Sequence, residues 1–180
     1  MTRGLFISEE FVKNGSPVDE NVDMKKINPV IWQCQTQYIQ SVLGSVLYND
    51  LVAKVIAGTL AGDDLKLVDE YIADALMYWV MYEVQIPLLF NFRNKSTATN
   101  NSDYSQPIGT KELSRIENRF KDKAEFFSER ITNYLCANTA LYPLYMTATS
   151  SDDVIPEIAK PTVSVFLGDT YKPKCNKFLY

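Results

Sequence analysis

The chain contains no histidine. Ser-His-Asp and Cys-His mechanisms need an imidazole to take the nucleophile's proton, so both are excluded, together with imidazole proton shuttles. An enzyme built on this chain would be left with carboxylate, Lys, Tyr or metal chemistry. Cysteine is scarce as well: Cys34, Cys136 and Cys175 are an odd number at wide spacings, with no CxxC pair. Zinc patterns that use His are ruled out, and an all-cysteine tetrahedral site lacks its fourth sulfur. Free, mostly packed thiols are the expectation. No GxxxxGK[ST], GxGxxG or GxSxG occurs, and no oxygen-rich DxDxDG loop. Neither a cofactor nor a metal is called for.

Basic charge is also in short supply. The formal net charge is -4, against the excess of Lys and Arg that a dedicated nucleic-acid binder needs to neutralise phosphates. The start, "MTRGLFISEEF", has one Arg and a short apolar run broken by Glu9 and Glu10, unlike a signal or transit peptide, so a cytosol-like compartment is expected. One tract, Tyr71 to Phe90, is apolar enough to call for a membrane check. Asp74, Glu83, Gln85 and Pro87 interrupt it well short of the ~18 uncharged residues that a span requires. It reads as a core helix buried on nearly all sides.

What is present is the composition of one folded domain. With 180 residues, 46% hydrophobic and 22% charged, the chain has enough apolar surface for a real core. Its adjacent carboxylates have simple uses. Asp63 and Asp64 follow Gly62 and precede "LKLVDEYI", where they are expected at the N-cap and first turn of a helix, accepting from its orphan N–H groups and favoured by its macrodipole. Asp152 and Asp153 lie in the turn-like "TSSDDVIPE". An enzyme using carboxylates and a metal would need Asp63, Asp64, Asp74 and Glu83 to converge. No catalytic residues are assigned.

The periodicity predicts an all-α fold: a small bundle of about four main helices with a long polar inter-helix loop and an extended C-terminal arm containing a short strand. A short helix is expected over "ISEEFVK", capped by Ser8 and ended by Gly15 and Pro17. The first main helix is read from "NPVIWQCQTQYIQSVLG", with Asn28 as N-cap, Pro29 as the first helical residue and Gly44 at the end. "SVLYNDLVAKVIAG" repeats that logic with Ser45 as cap, so a hairpin or sharp bend falls at Gly44. The third helix starts at Asp63 or Asp64 and runs at least to Gln85, with Pro87 kinking or stopping it. The fourth starts at Gly109 or Thr110; Leu113, Ile116, Phe120, Ala124, Phe127, Ile131 and Tyr134 recur at three and four spacing along one seam. The mixed charges around that seam suit a solvated or ionically paired face.

Two segments depart from this pattern. The tract "FRNKSTATNNSDYSQPIG", Phe92 to Gly109, is a long, small and polar interruption between helices, and loops beyond ~12–15 residues without secondary structure are usually functional or disordered. Tyr104, Pro107 and Ile108 are its candidate contact residues. After Ser150, prolines punctuate an arm with one strand-like run, "PTVSVFLG". The arm is too apolar for a solvated tail and too short for its own core. It must pack on its own helical body or on a neighbouring chain, and Val163, Val165, Phe166, Tyr171, Lys172, Lys174, Phe178 and Tyr180 are its candidate contacts. The chain thus divides into a helical domain, 1–149, and an arm, 150–180.

The pairing of Asn28–Val52 with "AEFFSERITNYLCANTALYPLY", Ala124–Tyr145, resembles the head-to-tail connector, or adaptor, proteins of tailed bacteriophages, and among them the ring proteins of crAss-like phages. There, a Gln-rich first core helix ends in an "LG" turn and a last helix ends in a "YL" step followed by Asn and an aromatic-Pro segment. Here those positions are Leu43-Gly44, Tyr134-Leu135, Asn138 and Tyr142-Pro143. The resemblance runs from about Ile7 to Thr149. It implies a helical bundle assembled as a homo-oligomeric ring of about twelve subunits at the head-tail junction of a virion. Such a ring docks on the portal protein, extends the DNA channel and supports tail assembly. DNA passes through it without sequence-specific binding, and no membrane is involved. The alternative is a monomeric helical protein-protein interaction module, a virus-encoded regulator without catalytic activity.

Overall fold

A computed structural model of the chain describes residues 4–17, 24–93, 96–99 and 110–156. Helix α1, Glu9–Gly15, opens on Ser8, whose Oγ accepts a hydrogen bond from the Phe11 N–H at 3.1 Å. Glu9 and Glu10 add the acidic first turn that the helix dipole favours. Before α1, residues 4–7 run without helix and bury Phe6 and Ile7; Val12 on α1 is buried as well.

Helix α2 is continuous over residues 24–43 in three spans, Met24–Cys34, a π-helical Gln35–Ile39 and Gln40–Leu43. It starts four residues before the predicted cap, which corrects the reading of Asn28 and Pro29. Pro29 lies inside the helix but near its start, where the bond it cannot make reaches only into the first turn. Asn28 is released from capping, and its amide donates to Glu9 Oε2 at 3.0 Å, tying α1 to α2.

Gly44 ends α2 with φ 78° and ψ 156°, a conformation open almost only to glycine. The chain turns there into α3, Ser45–Ala57, which stops at Gly58 in the left-handed region. Its last carbonyls are satisfied by the Gly58 and Thr59 N–H groups, which donate to Val55 and Lys54 at 3.2 and 3.0 Å. Helix α4 covers residues 62–83, again with a π-helical middle: Gly62–Leu67, Val68–Ile72 and Ala73–Glu83. Its N-cap is Ala61 with no side-chain cap, so Asp63 and Asp64 serve the first turn only, which corrects their reading as caps. Its last span buries Ala73, Ala75, Leu76, Met77, Trp79, Val80 and Met81, the nearly all-round burial expected of the apolar tract. Among the described residues no helix is long and apolar enough to cross a membrane. The helix breaks at Val84, and Pro87 falls in a separate short α5, Gln85–Leu89.

The polar tract is not wholly structureless. Phe90–Arg93 (β1) pairs antiparallel with Ser96–Thr99 (β2) in the register Phe90 opposite Thr99 and Arg93 opposite Ser96. Alternation in FNFR and the β-branched threonines of STAT suit such a pair. Helix α6, Thr110–Ala137, then follows the predicted seam. Ala124, Ile131 and Leu135 are buried, and Phe120, Phe127 and Tyr134 pack against the core, whereas Ile116 is 40% exposed.

The fold is therefore all-α in class, with α2, α3, α4 and α6 as its main helices. The last span of α4 packs chiefly on α6 and also on α2. Ile27, Ile31, Ile39, Leu43, Leu51, Leu67, Ile72, Leu76, Ile131 and Leu135 are its fully buried centre. The turns after α6 bury Tyr142 and Tyr145, so the segment around Pro143 closes the end of the bundle.

Candidate interaction surfaces

Two buried polar side chains hold non-helical chain against the helices on either side of Gly44. Gln35, completely buried in the π-helical span of α2, accepts from the Phe6 N–H at 2.8 Å and donates to the Gly4 carbonyl at 2.9 Å. Its amide also reaches the Tyr48 hydroxyl at 3.3 Å. One side chain thus satisfies both a donor and an acceptor of the N-terminal segment, as burial of those groups requires. At the other end of α2, the Ser45 N–H donates to the Val154 carbonyl at 2.9 Å, and the Ser45 Oγ accepts from the Val154 N–H at 2.9 Å. Pro156 is buried against Gly44, where a Cβ would lie 2.7 Å from its Cδ. Ser45 was expected to cap α3; instead, its hydroxyl clasps residues 109 positions away. The Asp153 carboxylate shapes the preceding turn by accepting from the N–H groups of Thr149 and Ser150 at 2.7 and 2.8 Å.

The interface between α4 and α6 is an aromatic seam overlaid by cations. Tyr78 stacks on Phe127 with centroids 5.0 Å apart, and Tyr71 stacks on Tyr134 at 4.1 Å. Lys123 lies 5.2 Å above the Tyr78 ring, Arg130 lies 5.1 Å from Tyr71 and 5.6 Å from Phe127, and Lys66 lies 6.0 Å from Tyr134. Deeper in, Trp79 Nε1 donates to Ser128 Oγ at 2.9 Å, and Tyr38 stacks flat on Trp79 at 3.7 Å. The Tyr38 hydroxyl donates to Glu83 Oε1 at 2.5 Å. Burial, followed by that bond to a carboxylate, pushes the Tyr38 phenol well above its usual range. Beneath it, the Cys34 thiol is buried and free, and desolvation with the nearby Glu83 charge raises its pKa far beyond ordinary thiol values. Cys136 is disulfide-bonded, which corrects the reading of three free thiols. The buried-thiol expectation holds at Cys34 because that side chain lies inside the core, whereas Cys136 is only half-buried.

At the closing end of the bundle, the Tyr142 hydroxyl donates to the Asp63 carbonyl at 2.7 Å. Its proton being used there, the Tyr134 hydroxyl is the donor in their 3.4 Å contact. A cavity of about 200 Å³ lies alongside, lined by Leu47, Asp50, Lys54, Asp64 and residues 141–144. Lys54 Nζ contacts Asp50 and Asp64, each at 2.6 Å, and these hydrogen bonds raise its pKa. A lysine held protonated in this way is a poor nucleophile.

The four carboxylates that a metal enzyme would have to bring together do not meet. Asp64 engages Lys54, Asp74 pairs with Arg130 at 4.0 Å, Glu83 accepts from Tyr38, and Asp63 offers its backbone carbonyl to Tyr142. Among the described residues, no three acidic or cysteine side chains are grouped to hold a metal. The proposed contact residues Tyr104, Pro107, Ile108, Val163, Val165, Phe166, Tyr171, Lys172, Lys174, Phe178 and Tyr180 all lie outside the described residues, as does the strand-like run of the arm.

Among the described residues, a predominantly helical bundle with joints of this kind defines the class of the protein. The chain belongs to the DUF6712 family, a family of unknown function, which it matches over residues 39–155. That span opens in the π-helical part of α2 and closes at the segment that Ser45 holds. No curated protein and no solved structure matches the chain significantly.

Proposed function

We propose that the chain is a structural subunit of a head-tail connector ring of a tailed bacteriophage. About twelve copies would dock on the portal, extend the DNA channel and support tail assembly in the virion, after assembly in the host cytoplasm. The reading rests on the resemblance, and one observation carries it further: the residues that bear the resemblance serve as joints. Leu43 is buried, Gly44 turns the chain and receives Pro156, and Tyr134 and Tyr142 meet at the end of the bundle. Joints that seat residues 154–156 on the bundle suit a protein whose work is contact. We assign it no catalytic activity and no cofactor. The acidic balance suits a conduit, since a strongly basic lumen would hold DNA phosphates.

A second reading is favoured by the clasp itself. Residues 150–156 pack on their own subunit, as expected of a monomeric helical interaction module whose arm is already seated at home. Native mass measurement and imaging of the purified chain, alone and with its portal protein, separate the two. Large closed oligomers or a portal complex support the ring. A monomer at micromolar concentration with no portal binding supports the module. Deleting Pro161–Tyr180 should weaken assembly more than subunit folding; a truncated chain that unfolds outright would place the arm in its own core.

A further inference from the structure

Helix α6 carries two unlike rows of charge on its outer surface. Arg119, Lys123 and Arg130 lie along one side, and Asp122, Glu125 and Glu129 lie along another, about 100° further round the helix. The basic row is held in place, because Lys123 and Arg130 sit over the Tyr78, Tyr71 and Phe127 rings. Near contacts offset it only in part: Asp74 lies 4.0 Å from Arg130, and in the acidic row Lys121 lies 3.9 Å from Glu125. Beside the rows stands Phe126, 61% exposed, with its ring edge-on to Phe127 at 5.4 Å.

Rings interleaved with cations invite comparison with a platform for nucleic-acid bases. That use requires free aromatic faces. Here Tyr78 and Phe127 cover one another, as do Tyr71 and Tyr134, and the cations lie over the same rings. The surface fits a protein partner instead. Fixed cations beside an exposed Phe suit a protein interface, and an acidic helical row is the complement they need. The same helix supplies that complement.

We infer that subunits join head to tail through α6, the basic row and Phe126 of one copy receiving the acidic row of the next. The inference rests on the ring reading above and names the surface that closes the ring. Unlike patches on one molecule make a heterologous contact, which closes into a ring when the rotation permits. Packing like rows together would set cation against cation.

The test uses the full chain and two paired variants with all changes on the α6 surface, Lys123→Ala with Phe126→Ala, and Asp122→Ala with Glu129→Ala. Sedimentation velocity follows assembly against concentration, and circular dichroism checks that each variant folds. Each variant alone should need about tenfold or more protein to assemble than the unaltered chain. Mixed in equal amounts, they should form a one-to-one dimer that grows no further, because only one intact pair of rows remains between them. An unaltered chain that assembles while the variants assemble equally well, or a mixture that stays monomeric, overturns this interface and leaves the ring reading standing. An unaltered chain that stays monomeric throughout, with or without portal, overturns both.

Discussion

Replacing Gly44 by alanine should loosen the C-terminal segment and destabilise the subunit together. At φ 78° and ψ 156°, an L-residue costs about 1–3 kcal/mol in backbone strain. The added Cβ would stand 2.7 Å from Pro156 Cδ, 3.0 Å from its Cγ and 3.1 Å from the Val154 carbonyl oxygen, so the segment has to move away. Moving it breaks the two 2.9 Å hydrogen bonds between Ser45 and Val154, each contributing about 0.5–1.5 kcal/mol. Strain and lost bonds together come to about 2–6 kcal/mol. For a chain of this size that lowers the melting temperature by roughly 4–24 °C. Thermal unfolding measures the loss, and hydrogen exchange at the Ser45 and Val154 amides reports whether the segment has left. Ser45→Ala keeps the Ser45 N–H and the glycine, so it should cost only about 1 kcal/mol and expose the Val154 amide alone. If Gly44→Ala melts like the unaltered chain, or if Val154 stays as protected as before, the coupling between turn and segment is refuted.

Gln35→Leu should cost about 2–6 kcal/mol, because it strands the Phe6 N–H and the Gly4 carbonyl where water does not reach, and exchange of the Phe6 amide should rise with it. In alkali, burial raises the Tyr145 phenol to about 12 and lifts Tyr38 and Tyr142 further, so the folded state holds these protons after the unfolded chain releases its own. The stability they contribute is therefore complete below about pH 10 and declines above it, and spectrophotometric titration should show three phenols ionising later than the rest. Tyr38→Phe should flatten that decline. The Cys34 thiol should resist aqueous thiol reagents in the folded chain and react fully after denaturation; rapid labelling under native conditions would contradict its burial.

The helices were legible where a single local pattern decides them. The three and four spacing from Leu113 to Tyr134 predicts α6, Ser8 marks the start of α1, and Gly44 and Gly58 mark turns where left-handed φ is required. Local pattern failed where a residue had two uses. Asn28-Pro29 has the form of a helix start, but the helix begins earlier and Asn28 binds Glu9 from another element. Ser45 has the form of a cap, but its hydroxyl is taken by Val154. Gln35 carried no signal, because a glutamine on an apolar face looks the same whether solvent or a buried segment receives its amide. Of the surface seam, Lys123, Phe127 and Arg130 at spacing four and three were a readable hint of cations above rings. Which rings lie beneath them required the packing of α4 on α6.

By itself, the sequence determined the helical class and the absence of imidazole chemistry, because composition and periodicity act within a few residues and need no partner. Only the tertiary structure decided which polar groups are buried and where residues 4–6 and 154–156 are seated. Those outcomes depend on hydrogen bonds between residues 29 to 109 positions apart, from Phe6–Gln35 to Ser45–Val154, and distance along a chain carries no information about distance in space until the core has formed.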